Sequence, residues 1–137
     1  MVDFSQAEID ELLEVCQEFN IDGLVCSNTS VSRQGLKTQT GEAGGLSGRP
    51  LKQRATEMIR RIHKAAPQLK IVGLGGVFTA EDAYEKIKAG ASLVQIYTGF
   101  IYQGPLVVKR INQGLLKLMA RDGFTNISQA VGAGPLP

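Results

Sequence analysis

Three apolar runs in this 137-residue chain are each followed by glycines or small polar residues. Such runs are typical of buried strands, and in parallel α/β proteins ligands bind at the carboxyl ends of the strands. We therefore expect the three groups to meet around one ligand. They are Ser27, Asn28 and Thr29 after Leu24–Cys26, Gly75 and Gly76 after Ile71–Leu74, and Tyr97, Thr98 and Gly99 at the end of Leu93–Tyr97.

The residue types in these groups suit a bound phosphate. Glycine lets backbone N–H groups approach an anion closely, and a helix start adds free N–H groups and a positive dipole end. A capped helix start is predicted at Thr79, directly after Gly75-Gly76. A second pair, Gly44-Gly45, followed by Ser47-Gly48, precedes another helix and can join the same cradle. An ordinary tight turn remains the alternative for both glycine pairs.

The side chains near these glycines can form hydrogen bonds to a ligand, but they do not suit acid–base catalysis. The amide of Asn28 both donates and accepts hydrogen bonds, so it can recognise a planar amide or imide ring. The segment 27–29 also fits an ordinary turn, and Tyr97 fits a packing role equally well. His63 is predicted on the exposed side of a helix. The sequence contains no serine–histidine–acid set, no metal-spaced cluster and no Walker loop.

The spacing of apolar residues and helix caps predicts four helices alternating with three strands. Alternation of this kind implies parallel strands joined by right-handed crossovers, either in a small open sheet or in part of an eight-stranded barrel. Asn20 is predicted to end the first helix. The predicted buried faces are Leu51, Ala55, Met58, Ile59 and Ile62 on the second helix, Ala83, Tyr84 and Ile87 on the third, and Val108, Ile111, Leu115 and Leu118 on the fourth. Residues 30–49 are predicted as a long functional loop. The predicted helices are Gln6–Phe19, Pro50 to about Pro67, Thr79 to Gly90 and Gly104 to Gly123, with a last helical turn at Asn126–Gln129; the predicted strands are Ile21–Cys26, Ile71–Leu74 and Leu93–Tyr97.

Composition indicates one globular domain. The apolar fraction is 43%, no apolar run is long enough to cross a bilayer, and no signal peptide is visible. Cys16 and Cys26 are interpreted as buried, reduced thiols. The bases between residues 33 and 54 form either a solvated surface or an electropositive rim near an anionic ligand, and too few aromatic residues accompany them for a nucleic-acid surface. These bases are Arg33, Lys37, Arg49, Lys52 and Arg54.

Five segments together resemble the class 2, quinone-dependent dihydroorotate dehydrogenases, and they match the C-terminal half of that family. Each segment is weakly specific alone, but the five occur in the family's order and spacing and cover nearly the whole chain. The loop between Arg33 and Pro50 separates this family from other flavin barrels. The segments are Asp22–Arg33, Gly44–Leu51, Ile71–Val77, Asp82–Phe100 and Gly104-Pro105.

The resemblance implies an α/β fold: the C-terminal portion of a parallel (β/α)8 TIM barrel, with about three strand–helix units preceded by a helix. It implies FMN as cofactor and oxidation of dihydroorotate to orotate in pyrimidine biosynthesis, with electrons passed to a quinone. For the parent protein it implies a peripheral location on the cytoplasmic face of the inner membrane. By motif, Asn28 and Thr29 would bind the substrate. The FMN-binding residues would be Ser27, Thr29, Ser47, Gly48, Gly75, Gly76, Tyr97 and Thr98.

The family also has functional parts that no segment of this chain matches. The family's catalytic serine, a flavin-contacting lysine and the helices of the quinone tunnel belong to the N-terminal half. We therefore expect residues 1–137 to form one partial domain without a catalytic residue and without turnover alone. The fragment itself is expected to be soluble, and to self-associate or pair with the complementary half. The alternatives are a non-catalytic half-barrel that binds FMN or phosphate, and another flavin barrel such as a class 1 dihydroorotate dehydrogenase.

Overall fold

A computed structural model describes residues 3–34, 36 and 41–134, which form a three-stranded sheet with α-helices before, between and after the strands. The predicted order of helix, strand, helix, strand, helix, strand, helix is confirmed, with one additional short helix. The helices are α1 (Gln6–Glu18), α2 (Lys52–Ala65), α3 (Ala80–Lys88), α4 (Thr98–Gln103) and α5 (Leu106–Arg121); the strands are β1 (Gly23–Cys26), β2 (Lys70–Gly73) and β3 (Leu93–Val94). Short 3-10 turns cover Arg49–Leu51 and Ile127–Ala130.

The sheet is parallel, and its strand order is β1-β2-β3. Val25 pairs with Val72, and Val72 pairs with Leu93, so these three residues form one row across the sheet. Cys26 pairs with Gly73, and Gly73 with Val94, in the next row on the opposite face. The prediction of parallel strands is therefore confirmed, and the three carboxyl ends lie at the same edge of the sheet.

The core lies between the sheet and the helices. Ile71 of β2 and Cys26 of β1 pack with Ile9 of α1 and Ile59 of α2. A second layer forms between α3 and α5, where Ala83 packs with Val107 and Ile111. The predicted buried faces of α2 and α3 are confirmed. They comprise Leu51, Ala55, Met58, Ile59 and Ile62 for α2, with Leu51 in the turn before it, and Ala83, Tyr84 and Ile87 for α3.

The last predicted strand and the last predicted helix differ from the structure. Leu93–Tyr97 was expected as a strand, but only its first two residues pair with β2, and the Gln95 N–H adds one further bond to the Gly73 carbonyl. The chain then turns into α4, because the Tyr97 carbonyl accepts the first helical hydrogen bonds. On α5 the buried face is centred on Val107 instead of Val108, which is 42% exposed.

Three further predictions concern single residues. Cys16 and Cys26 are free and buried, as predicted. Asn20, expected to end the first helix, has a left-handed φ of 50° just after α1. The prediction for His63 is wrong in part: its ring is half-buried because it packs against Gly90 and Gly132. Lys37 of the predicted basic rim and Gly35 of the long loop lie outside the described residues.

Candidate functional site

A cavity of about 300 Å³ lies at the carboxyl ends of the three strands. The structure brings together around it every residue that the family resemblance assigned to substrate or cofactor binding. These are Ser27, Asn28, Thr29, Ser47, Gly48, Gly75, Gly76, Tyr97 and Thr98. The cavity is also lined by residues that the sequence did not single out as site residues, namely Leu51, Leu74, Val77, Gln95 and Ile96. These five lie close to the predicted residues in the chain, and that proximity was the signal that could have identified them.

The loop after β2 presents backbone donors to this cavity. Gly75 and Gly76 have φ values of 101° and 71°, which favour glycine. A Cβ atom on Gly76 would lie 2.6 Å from the Lys52 Cα atom, so the close approach of the two backbones also requires glycine. Within the described part of the chain, the N–H groups of Gly75, Gly76 and Val77 donate to no acceptor. Adjacent free N–H groups in a turn form an anion-binding concavity.

The loop before α2 forms the opposite wall of the cavity. Gly48 has a φ of 81°, and a Cβ there would lie 3.1 Å from the Thr98 Cγ2 atom. The Thr98 hydroxyl donates to the Ser47 hydroxyl at 3.2 Å, which ties this loop to the chain after β3. The glycine pair Gly44-Gly45 does not line the cavity, so the prediction that it joins the cradle is not supported. Gly45 packs instead against the Thr29 side chain.

The residues after β1 carry the side-chain groups of the site. The Ser27 Oγ atom is buried and has no hydrogen-bond partner, although Ser27 lines the cavity. Asn28 is exposed, and its Oδ1 atom accepts the Thr29 N–H at 2.7 Å. This bond holds the Asn28 side chain at the cavity edge and leaves its amide N–H groups available. Tyr97 is 68% exposed, so its side chain does not pack in the core of the described chain.

The start of α3 contributes fewer free donors than the sequence indicated. Thr79 and Asp82 form the predicted capping box. The Asp82 Oδ2 atom accepts the N–H groups of both Phe78 and Thr79 at 3.0 Å, and the Asp82 N–H donates to the Thr79 hydroxyl. Because these N–H groups are already paired, the donors that face the cavity belong mainly to the glycine loop.

Charged groups around the site are mostly paired. Lys52 binds Asp82, Arg54 binds Asp3 at 2.9 Å, and Arg33 donates to backbone carbonyls of its own loop. Burial raises the pKa of Asp82, but the Lys52 ammonium and two backbone N–H groups outweigh it and hold that pKa below its ordinary value. Arg49 stacks on the Phe78 ring at 4.4 Å. Thus Arg33, Lys52 and Arg54 do not form a free basic rim.

A family model described as dihydroorotate dehydrogenase matches residues 3–119. The chain belongs to the dihydroorotate dehydrogenase family. It is 52% identical to a protein of Synechocystis sp. and 47% identical to one of Nostoc punctiforme, both named dihydroorotate dehydrogenase (quinone). Each alignment covers 95% of this chain and 37% of the relative. The predicted resemblance to part of the quinone-dependent class is therefore confirmed, and the chain spans a little over a third of these relatives.

Solved structures of this family share the fold. Ligand-free dihydroorotate dehydrogenase from Eimeria tenella superposes with a TM-score of 0.92 at 37% identity, over 99% of this chain and 39% of that chain. The same enzyme in complex with ferulenol superposes with a TM-score of 0.91 at 38% identity, covering 96% of this chain and 36% of that one. The predicted α/β class and the partial-barrel architecture are confirmed.

Two classes of site are not found among the described residues. No group of three or more His, Cys, Asp or Glu side chains there is arranged to hold a metal ion. In the same part of the chain, none of the helices combines the length and apolar character needed to span a bilayer.

Proposed function

We propose that this chain supplies the phosphate and pyrimidine sides of the active site of a quinone-dependent dihydroorotate dehydrogenase, with FMN as cofactor. The observation that carries the proposal is the cluster of unpaired N–H groups at Gly75, Gly76 and Val77, at the strand edge where ligands bind. Family membership and the similarity to quinone-dependent relatives support the choice of FMN over other phosphates.

The residues of the cavity fit a flavin mononucleotide. A phosphate suits the glycine loop, whose N–H groups at Gly75, Gly76 and Val77 have no acceptor within the described part of the chain. The unpartnered Ser27 hydroxyl suits a polar edge of the flavin ring, and Thr98 and Ser47 suit the ribityl chain. These residues would hold FMN, which when bound would supply a two-electron acceptor for the oxidation of dihydroorotate, with a quinone as the final acceptor.

The roles of the other predicted residues follow from the same arrangement. Asn28 and Thr29 hydrogen-bond the pyrimidine of dihydroorotate or orotate and hold it against the flavin. Gly48, Gly76 and Tyr97 help to enclose the cofactor. The catalytic base belongs to a part of the family's length that this chain does not span, and residues 1–137 are one partial domain of the barrel. That remaining part also supplies the quinone site and the peripheral attachment of the parent enzyme to the cytoplasmic face of the inner membrane.

A second candidate is a binding module without catalysis. The observation in its favour is that the chain covers 37% of its quinone-dependent relatives yet retains all nine predicted binding residues around one cavity. Under this candidate the chain binds FMN weakly and does not turn over dihydroorotate.

Quenching of FMN fluorescence tests cofactor binding. We expect the 137-residue chain to quench FMN, and Gly76→Asp to weaken binding at least about tenfold, because the added side chain would overlap the Lys52 backbone and displace the N–H groups of the loop. Gly104→Asp is the matched control, because Gly104 has a similar φ of 72°, has open space around it and does not line the cavity. Absence of quenching at high micromolar protein, or equal binding by the parent and Gly76→Asp, would reject the proposal.

Turnover separates the two candidates. The chain alone is expected to show no dye reduction dependent on dihydroorotate. Adding the complementary portion of a quinone-dependent relative should produce dye reduction if the chain is part of an active enzyme. Dye reduction by the isolated chain would contradict the assignment of the catalytic base to the rest of the family's length.

A further inference from the structure

Lys52, the first residue of α2, connects the two elements that frame the glycine loop. Its Nζ atom lies 2.8 Å from the Asp82 Oδ1 atom and 3.1 Å from Glu85, both on α3. The Asp82 side chain is only 8% exposed, and its other oxygen, Oδ2, accepts the N–H groups of Phe78 and Thr79. One carboxylate therefore joins α2 to the backbone that leaves the loop.

The backbone of Lys52 also lies directly against the loop. A Cβ atom added to Gly76 would lie 2.7 Å from both the backbone nitrogen and the Cβ atom of Lys52. Gly75 lies against the side chains of Ala55 and Leu51 on the same turn. The start of α2 therefore packs directly against Gly75 and Gly76. Asp82 accepts hydrogen bonds from Phe78 and Thr79, where the chain leaves the loop. The unpaired N–H groups of the loop belong to residues that line the cavity.

The charge of Lys52 is not available to an anion in the cavity. Its ammonium is shared between Asp82 and Glu85, so the trio carries a net negative charge. The hydrogen bond to Asp82 is the main reason why the pKa of Lys52 is raised, and the amine therefore remains protonated and paired. Its effect on a phosphate is consequently geometric: it sets where the N–H groups of the loop lie.

We propose that Lys52 and Asp82 are a positioning pair that orders the loop Gly75–Phe78 for the phosphate group of a flavin nucleotide. This inference rests on the function proposed above and extends it, because neither residue lines the cavity. Preorganised donors bind an anion without the cost of ordering the loop on binding. Loss of the pair should therefore weaken recognition of the phosphate and leave recognition of the flavin ring unchanged.

Comparing the affinities for FMN and for riboflavin measures how much the phosphate group contributes to binding. We expect Lys52→Met to weaken FMN binding about tenfold while the affinity for riboflavin, which lacks the phosphate, stays within about twofold. Lys52→Arg keeps a donor for Asp82 and should restore most of the FMN affinity. Lys64→Met is the matched control, because it removes the same charge from the exposed far end of α2. Asp82→Asn tests the pair from α3 if Lys52→Met fails to fold.

Each outcome decides the inference. A loss confined to FMN in Lys52→Met and Asp82→Asn, with Lys64→Met unchanged, supports the positioning role. Equal losses for FMN and riboflavin, or no loss for either, overturn it and leave the proposed cofactor site standing. If the parent chain binds neither flavin, the proposed function and this inference fail together.

Discussion

Lys86 is the most deeply buried charged residue in the described part of the chain, with no exposed surface. Its Nζ atom donates to the Thr56 hydroxyl at 3.2 Å, and its side chain lies against Gly73 of β2. Burial lowers the pKa of Lys86 to about 8 and raises the pKa of the neighbouring Cys26 thiol to about 11. Burial therefore shifts both groups toward their neutral forms relative to the unfolded chain.

The pH dependence of stability follows from these two shifts. Between pH 8 and pH 9 the folded chain releases the Lys86 proton, while the unfolded chain, with an ordinary lysine pKa of 10.5, retains it. The contribution of Lys86 to the free energy of unfolding should then rise by about 1 kcal/mol over that unit, and the unfolded Cys26 thiol, which begins to ionise near pH 9, should offset part of that rise. Above pH 9 the Cys26 thiol ionises in the unfolded chain before it ionises in the folded chain, which lowers the free energy of unfolding. Between pH 10.5 and pH 11 this effect exceeds that of Lys86, so the free energy of unfolding falls.

Urea unfolding across pH 7–11 measures this profile. In Lys86→Met the free energy of unfolding should no longer rise between pH 8 and pH 9. In Cys26→Ala it should no longer fall between pH 10.5 and pH 11. A parent profile that falls between pH 8 and pH 9 would contradict the assignment of a neutral Lys86.

The sequence predicted the buried apolar residues of α3 but did not predict that two charged residues of the same helix are buried. Ala83, Tyr84 and Ile87 were predicted on the buried face of α3 because they are apolar. Lys86 and Asp82 lie on the same helix and are also buried, but lysine and aspartate ordinarily predict a solvent-exposed position. Their burial depends on partners from α2, namely Thr56 and Lys52, which no spacing within α3 could reveal.

The strand-to-helix loop after β2 is the element on which the site depends most. Gly76→Ala should lower the free energy of unfolding by about 3 kcal/mol or more, because it adds left-handed strain and an overlap with the backbone of Lys52. Gly104→Ala is the control for strain alone: its φ of 72° is similar, but nothing lies within 4 Å of the added Cβ. We expect a loss of about 1 kcal/mol there, measured by the same urea unfolding. Equal losses at both glycines would contradict the close approach at Gly76.

Element prediction succeeded where a local signal was strong. The capping boxes at Ser5 and Thr79 start α1 and α3 where the sequence placed them. The strand predicted at Leu93–Tyr97 is shorter, because apolar character cannot show where a neighbouring strand stops pairing. Helix α4 was missed because its six residues carry no side-chain cap and are followed at once by Gly104.

At the scale of the whole molecule, one face of the sheet has no covering layer in the described chain. Val25 and Leu93 are 61% and 66% exposed in the row that includes Val72. Their neighbours Cys26 and Ile71 point the other way, into the core with α2. Exposed apolar surface costs about 25 cal/mol per Å², so this face favours association.

We expect the isolated chain to self-associate through this face. Its weight-average mass in sedimentation equilibrium should rise with concentration in the micromolar range. A variant with both Val25→Lys and Leu93→Lys should remain monomeric, whereas Leu116→Lys, on the exposed outer side of α5, should behave as the parent does. A monomeric parent with a cooperative, high-melting transition would contradict this expectation.

The barrel itself could not be predicted from periodicity. Three parallel strands with intervening helices occur equally in open sheets and in barrels, and the choice between them came from the resemblance of five segments to one family. The predicted binding residues all line the cavity because glycines and hydroxyls at strand ends are local features. The support by Lys52 was not predicted, because it joins residues on two different helices.

The order of the strands also has a kinetic consequence. Joining β1 to β2 closes roughly twice as much chain as joining β2 to β3, and each doubling of a loop costs roughly 0.6 kcal/mol in closure entropy. We therefore expect β2 and β3 to pair first during refolding and β1 to dock last. Pulsed hydrogen exchange would then show later protection at Leu24–Cys26 than at Ser92 and Gln95, whose N–H groups donate to β2, and the reverse order would contradict it. The strand that precedes Ser27, Asn28 and Thr29 would thus reach its place only after the glycine loop that follows β2.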